Sequence, residues 1–151
     1  MPREPKDRRG WLKAVDTALS LAIRAEAADV HGVCQCVTCG ARHHWKSGRM
    51  HMGHFWSKKR ESVRYLEMNV ACQCAQCNVT GVAHSVAYSR AKIEDVAQAY
   101  LTHMVATYGQ PAVDALRRLK SESRTHSVDE LRAMRYWYKW RAKRAVEEKG
   151  L

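Results

Sequence analysis

No run of apolar residues in this 151-residue chain approaches the roughly 18 needed to cross a bilayer, so no membrane span is expected. The opening stretch, Met1-Pro2-Arg3-Glu4-Pro5-Lys6-Asp7-Arg8-Arg9, lacks the apolar core of an export signal. The chain is therefore expected in the cytoplasm, where thiols stay reduced and six cysteines read as metal ligands before disulfides. Low-complexity segments are missing. Acids are scarce beside bases, 15 Asp and Glu against 26 Lys and Arg, and the formal net charge is +11. That excess is gathered into blocks. Residues 42–64 hold seven basic residues against one acid and residues 117–149 eleven against five, whereas 14–41 and 65–116 are slightly acidic. Such blocks are the footprint of a polyanion binder, nucleic acid above all. The length suits one domain with a modest core.

What is present is one internal repetition. Cys34-Gln35-Cys36-Val37-Thr38-Cys39 and Cys72-Gln73-Cys74-Ala75-Gln76-Cys77 are near copies. The two-residue spacing lets both sulfurs of a C-x-x-C pair reach one ion, so Cys36, Cys39, Cys74 and Cys77 are expected to form a closed structural Zn²⁺ site. Cys34 and Cys72 are left over and are expected to be buried as small hydrophobes. Taken alone, such a site replaces core that a small domain cannot build, and says nothing about catalysis.

Residues 1–9, charged and interrupted by proline, read as a flexible basic arm, and 10–151 as a single domain. Within it, 33–90 is the expected zinc-stapled core and 91–149 a helical C-terminal part. Leu12, Val15, Leu19, Ala22 and Ile23 recur at helical spacing over about Trp11–Asp29. Residues 33–57 read as a knuckle followed by a β-hairpin with His54 on or just after its second strand, and 58–68 as a basic connection. A short helix is expected from near Asn78. Val96, Tyr100, Leu101, Met104 and Tyr108 then mark a helix closed by Gly109, and Pro111 restarts another. Ser127-Val128-Asp129-Glu130 is a capping box for a last helix to about Lys149.

His51, His54 and Asn69 lie between the two pairs, and Asn78 follows the last cysteine. Hydrolysis of a phosphodiester needs an activated water and a cation for the developing charge. His54 suits the base, since a neutral imidazole takes a proton near pH 7. Asn78 offers an amide oxygen, and His51 a further metal ligand or phosphate contact. Taken singly each has a plainer role: a satisfied histidine, an N-cap for Asn78, a turn residue for Asn69. Their grouping around the cysteines favours chemistry. His43, His44 and His84 read as nucleic-acid-facing or incidental, His103 as structural, and His31 and His126 as loop residues.

The chain resembles the HNH, or ββα-metal, nucleases, and more specifically the phage recombination endonuclease family NinG/Rap. The resembling residues are Asp16-Thr17-Ala18-Leu19-Ser20, Ile23-Arg24, Cys36-Val37-Thr38-Cys39-Gly40, Gly53-His54-Phe55, Arg64-Tyr65-Leu66-Glu67-Met68-Asn69, Gln73-Cys74, Cys77-Asn78, Gly81 and Tyr108-Gly109. The resemblance implies a mainly α fold with a small ββα-metal, zinc-stapled core, surrounded by an N-terminal helix and C-terminal helices. It implies a Mg²⁺- or Mn²⁺-dependent DNA endonuclease for branched recombination intermediates such as Holliday junctions and D-loops, working in a bacterial host cell. By that analogy His54 is the base, Asn69 orients the loop that bears it, and Asn78 is a metal ligand. Many HNH enzymes carry a ligand just before the base, where this chain has Gly53. His51, or less favourably Glu67, is expected to compensate.

Phosphate contacts are expected from Arg42, Lys46 and Arg49, from Lys58, Lys59, Arg60 and Arg64 beside the base, and from Arg135, Lys139, Lys143 and Arg144 on the last helix. Trp137 and Trp140 lie off that helix's apolar stripe, placed for base stacking, a dimer contact or packing. Paired cuts in a two-fold junction imply a homodimer. Two other readings stay open: a zinc-bound DNA-binding protein without catalysis, and an HNH nickase of ordinary duplex.

Overall fold

The computed structural model describes residues 4–80 and 90–151. It is mainly helical, with two small antiparallel sheets. Helix α1 spans Arg8–Ala27, with Asp7 as its N-cap accepting from Gly10 N at 2.7 Å. Arg8 and Arg9 therefore belong to a helix, and the stretch read as an arm ends earlier than expected; residues 1–3 lie outside the described residues. The leucine and valine stripe of α1 packs on helix α6, Val128–Lys149. Trp11, Val15, Ala18, Leu19 and Ala22 meet Leu131, Tyr138 and Ala142 in one buried cluster. Each large side chain buried there contributes about 1.5–3 kcal/mol.

The two helices run parallel. Arg132 and Arg135 near the start of α6 lie over Trp11 near the start of α1, and Lys149 at the end of α6 reaches the end of α1. There its ammonium donates to the carbonyl oxygens of Ala25, Glu26 and Ala28 at 3.0, 2.6 and 2.7 Å. The capping box is formed as expected: Ser127 N donates to Glu130 and Glu130 N to Ser127 Oγ.

Between these helices the chain builds the cysteine-bearing half. Strands β1 (Val33–Gln35) and β2 (Arg42–His44) pair around the first knuckle. Strand β3 (Met50–His54) pairs with β4 (Val70–Cys74), placing Met50 opposite Cys74 and His54 opposite Val70. The expected hairpin is thus corrected. His54 does end a strand, but that strand pairs with the one that follows it across the connection rather than with the one before it. That connection is not featureless, holding helix α2 (Glu61–Arg64) and a 3₁₀ turn (Glu67–Asn69). Helix α3 (Ala75–Thr80) begins directly after Cys74, so Asn78 is inside it rather than at its start.

Helix α4 (Arg90–Tyr108) ends at Gly109, whose φ of +83° suits glycine, and α5 (Gln110–Leu119) follows with proline in its first turn. Tyr100 and Met104 of α4, Val113 and Leu116 of α5 and Val63 of α2 form a further buried cluster, with Phe55 and Trp56 against it. No helix among the described residues is long and apolar enough to cross a membrane.

Candidate functional site beside a cysteine cluster

Four sulfurs converge where the two knuckles meet. The Sγ atoms of Cys36, Cys39, Cys74 and Cys77 all lie within 4.8 Å of one another. A zinc–sulfur bond of about 2.3 Å gives a tetrahedron edge of roughly 3.8 Å. The Cys39–Cys74 separation of 3.7 Å fits that edge. Cys36, Cys74 and Cys77 are buried while Cys39 is exposed, so the four can hold a zinc ion at the domain surface. Cys34 and Cys72 are buried, as expected of spare thiols, and point their sulfurs at the Arg24 and Ile23 carbonyls of α1.

A cleft of about 1110 Å³ opens beside this cluster. Its walls include Asp16, Ser20 and Arg24 of α1, His51 and His54 of β3, Ser57, Lys58 and Lys59 of the following loop, and Asn78 of α3. His51, His54 and Asn78 thus all line this cleft, and His51 and Asn78 touch each other. Asn69 stands behind them.

His54 Nε2 lies 3.1 Å from the Arg64 carbonyl oxygen. A carbonyl only accepts, so Nε2 carries the proton and Nδ1 keeps its lone pair. Burial is the main influence on this ring and holds its pKa below the ordinary imidazole value, so it is neutral at pH 7. Asn69 is fully buried and clamps the loop after His54. Its amide oxygen accepts from Trp56 N at 2.8 Å, and its amide nitrogen donates to the carbonyls of Trp56 and Val63, each at 3.0 Å. Its backbone carbonyl accepts from Phe55 N at 2.8 Å. This is a tether for the loop rather than a turn residue's local bond.

His51 Nε2 is 3.0 Å from the Gly48 carbonyl, and its Nδ1 is 3.2 Å from Asn78 Nδ2. The same logic makes Nε2 the donor and Nδ1 the acceptor from Asn78. The amide oxygen of Asn78 is then left for another partner.

Strand parity sets the two histidines apart. Successive side chains alternate faces, so His51 and position 53 share one face of β3 and His54 takes the other. Position 53 has no room for a side chain, since a Cβ there would sit 1.9 Å from Gln73 Oε1. The Gly53 carbonyl accepts from the buried hydroxyl of Tyr100 at 3.0 Å. Glu67, the other expected substitute, pairs with Arg141 and does not line the cleft.

Several basic residues are spoken for. Arg64 grips Asp16 through Nε at 3.0 Å and Nη2 at 2.6 Å, so it braces the His54 carbonyl partner rather than presenting a free cation. Arg135, expected on an open face, is buried, its guanidinium 5.6 Å from the Trp11 ring centre. It lies one turn after Leu131 on the α1-facing side, and a long stem packs well there. Arg42 pairs with Asp29, Lys143 with Glu147 and Arg144 with Glu148. Lys46, Arg49, Lys59, Arg60 and Lys139 are exposed, and among the described residues none makes an ion pair. Lys58 approaches Asp16 at 3.8 Å. Trp137 and Trp140 are half-exposed and stack on each other at 5.0 Å.

His126, read as a loop residue, is buried. Its backbone N and Nδ1 both approach Glu61, which also pairs with Arg8. His103 stands edge-on to Tyr100, and His84 and Gly81 lie outside the described residues. Asp16 has no assigned role in the sequence reading, although it stands in the first string of the family resemblance. Its only signal there was a lone acid amid a helical apolar stripe.

The family model described as "Bacteriophage Lambda NinG protein" matches residues 3–148, nearly the whole chain. No curated protein and no solved structure matches it.

Proposed function

Because the chain belongs to the phage NinG family, a family related to recombination, we propose that it is a metal-dependent endonuclease of branched DNA with an HNH-like centre. The observation that carries this reading is His54. It is a neutral ring with its proton held on Nε2 by a backbone carbonyl, its other nitrogen bearing a lone pair, on the wall of a cleft edged with lysines. A strand pair followed by a helix, β3, β4 and α3, carries His54, His51 and Asn78, and the cysteine cluster fixes the end of β4 to α3.

In this reading His54 Nδ1 takes a proton from the attacking water. Asn69 and the Asp16–Arg64 pair hold the ring at its angle, and Lys58 and Lys59 meet phosphate oxygens. Mg²⁺ or Mn²⁺ would stabilise charge on the scissile phosphate, held by the Asn78 amide oxygen and by His51 Nδ1, whose lone pair would first have to release the Asn78 amide N–H. Neither ligand is a carboxylate. A hard cation held so sparely relies on phosphate oxygens and retained water, so its binding is coupled to DNA. Placing two cuts in a two-fold junction calls for a homodimer.

The test compares wild type with His54→Ala on a labelled four-way junction and a matched linear duplex, with zinc-loaded protein and with Mg²⁺ or Mn²⁺ added or left out. Paired junction cuts that need the added ion and fall about 10²–10⁴-fold in the variant, with binding retained, are expected. Binding without cutting in either ion points instead to a DNA-binding protein without catalysis. Equal nicking of the duplex points to an unselective nickase.

A further inference from the structure

A second, smaller pocket of about 280 Å³ lies beyond the loop that follows His54. Its walls are Trp56, Ser57 and Arg60 from that loop, and Lys120 and Ser121 from the end of α5. Ser57 also lines the main cleft, so the two hollows share a wall, and Ser57 is three residues from His54. The Lys120 ammonium sits 3.5 Å from the centre of the Trp56 ring, which holds it in place by cation–π attraction. Trp56 itself is held by Asn69 through both its N–H and its carbonyl.

The two walls do not float separately. Trp56 and Phe55 pack on the buried cluster that contains Val63, Val113 and Leu116, so the loop and α5 rest on one core. Neither Arg60 nor Lys120 has an ion-pair partner among the described residues, in contrast to Arg42, Arg64, Arg141, Lys143 and Arg144. Two unneutralised cations and two hydroxyls around one hollow suit an oxyanion with several acceptor oxygens. The carbonyls ending α5 carry only a partial negative charge, which two full cations outweigh.

We propose that this pocket is a second phosphate subsite. In it Arg60 and Lys120 hold a phosphodiester of the DNA strand that leaves the main cleft past Ser57. The proposal rests on the nuclease reading above, which supplies the strand. It adds Lys120, Ser121 and Trp56 to the binding surface, none of which the charge blocks near His54 singled out. The subsite positions the strand and takes no part in proton transfer.

The experiment uses the full zinc-loaded chain in a His54→Ala background, which binds without cutting. Binding of a four-way junction is followed by fluorescence anisotropy between 50 and 200 mM salt, with and without Arg60→Ala and Lys120→Ala together. Each phosphate contact contributes about 0.9 to the slope of log K against log salt. Loss of the pair, which holds one phosphodiester, is expected to flatten the slope by about 0.9. A junction carrying one neutral methylphosphonate, moved stepwise away from the cut, should bind the His54→Ala protein more weakly at one position. At that position it should bind the triple variant no more weakly than the all-phosphate junction. Lys120→Arg should keep the steep slope, and Arg60→Ala alone, in an exposed loop, guards against misfolding.

An unchanged slope, with every methylphosphonate position weakening both proteins equally, overturns the subsite. If the slope and position effects appear but the wild type cuts nothing in Mg²⁺ or Mn²⁺, the subsite stands and the nuclease reading fails. Absence of salt-dependent DNA binding by the wild type overturns both.

Discussion

The two halves of this protein are stabilised by different physics. Helices α1 and α6 bury Trp11, Val15, Leu19, Leu131 and Tyr138 against each other, and hydrophobic burial is enough for them. The half between them has short strands; Trp45 and Met50 lean on Ala25 and Ala145 of the helices, but where the two knuckles meet the buried cluster is Cys36, Cys74 and Cys77 with little apolar company. Two-stranded sheets are marginal in water without such support. The site sits in the half where four cysteines can hold a zinc ion, and its back wall, through Asp16, Ser20 and Arg24, belongs to the half that stands on burial. The lesson is a division of labour: one half supplies a fixed wall and the other carries His51, His54 and Asn78.

The division breaks most visibly on removing the metal. Structural zinc contributes on the order of 10 kcal/mol to domains that it folds. A strong chelator, or Cys74→Ser, is expected to abolish hydrogen-exchange protection over residues 33–44 and 70–77 while amides at 15–22 and 131–142 remain slow. Uniform loss across both halves would show one cooperative unit and end the comparison. Next in size, Leu131→Ala is expected to cost about 2–5 kcal/mol in urea unfolding while leaving one zinc per chain. Loss of zinc from the folded variant would mean that the helical pair also shapes the cluster.

A smaller effect, on the order of 1–3 kcal/mol, is expected for Asn69→Ala, which leaves Trp56 N and two carbonyls short of a partner. Zinc content should stay, and cutting of a junction should fall with it because His54 loses its tether. Cutting at the wild-type rate would remove Asn69 from the site.

The smallest effect is proton-linked. Burial holds the folded His54 pKa below the ordinary value of 6.5, so the unfolded chain takes up that proton first as pH falls. The stability tied to neutral His54 is full above about pH 6.5 and declines below it, levelling once the folded ring is also protonated. His54→Gln should flatten this limb in urea titrations from pH 7 to 5. A limb of the same steepness would assign it to another group.

Local signals were readable. The Ser127–Glu130 box, Gly109 and the paired C-x-x-C strings each act within a few residues, so sequence spacing carries their geometry. What depends on distant partners was not. The pairing of β3 with β4 spans the α2 connection, and Arg64 meets Asp16 48 positions away. A charge census treats Arg64 and Arg135 as equals of Lys59, but a carboxylate holds one and a tryptophan covers another. Helical phase places Arg135 inside the stripe through Leu131, Tyr138, Ala142 and Ala145, and it was its charge alone that pointed to an open face. The His54, His51 and Asn78 grouping was legible as residue types near the cysteines. The free nitrogen of His54 and the closed position at Gly53 come only from the carbonyl and Gln73 that abut them.

The parallel run of α1 and α6 has an electrostatic consequence. Aligned peptide dipoles give each helix about half a negative charge at its C-terminus and half a positive one at its start. Side by side and in the same sense, the two sum to roughly one unit of each sign at opposite ends of the pair. Asp7, Asp129 and Glu130 stand at the positive end, and the single ammonium of Lys149 is seated among three carbonyls at the negative one. Lys149, from the last turn of α6, is thus seated on the carbonyls that end α1, and with Arg24 in the last turn of α1 it sets positive charge where the two negative poles would otherwise repel.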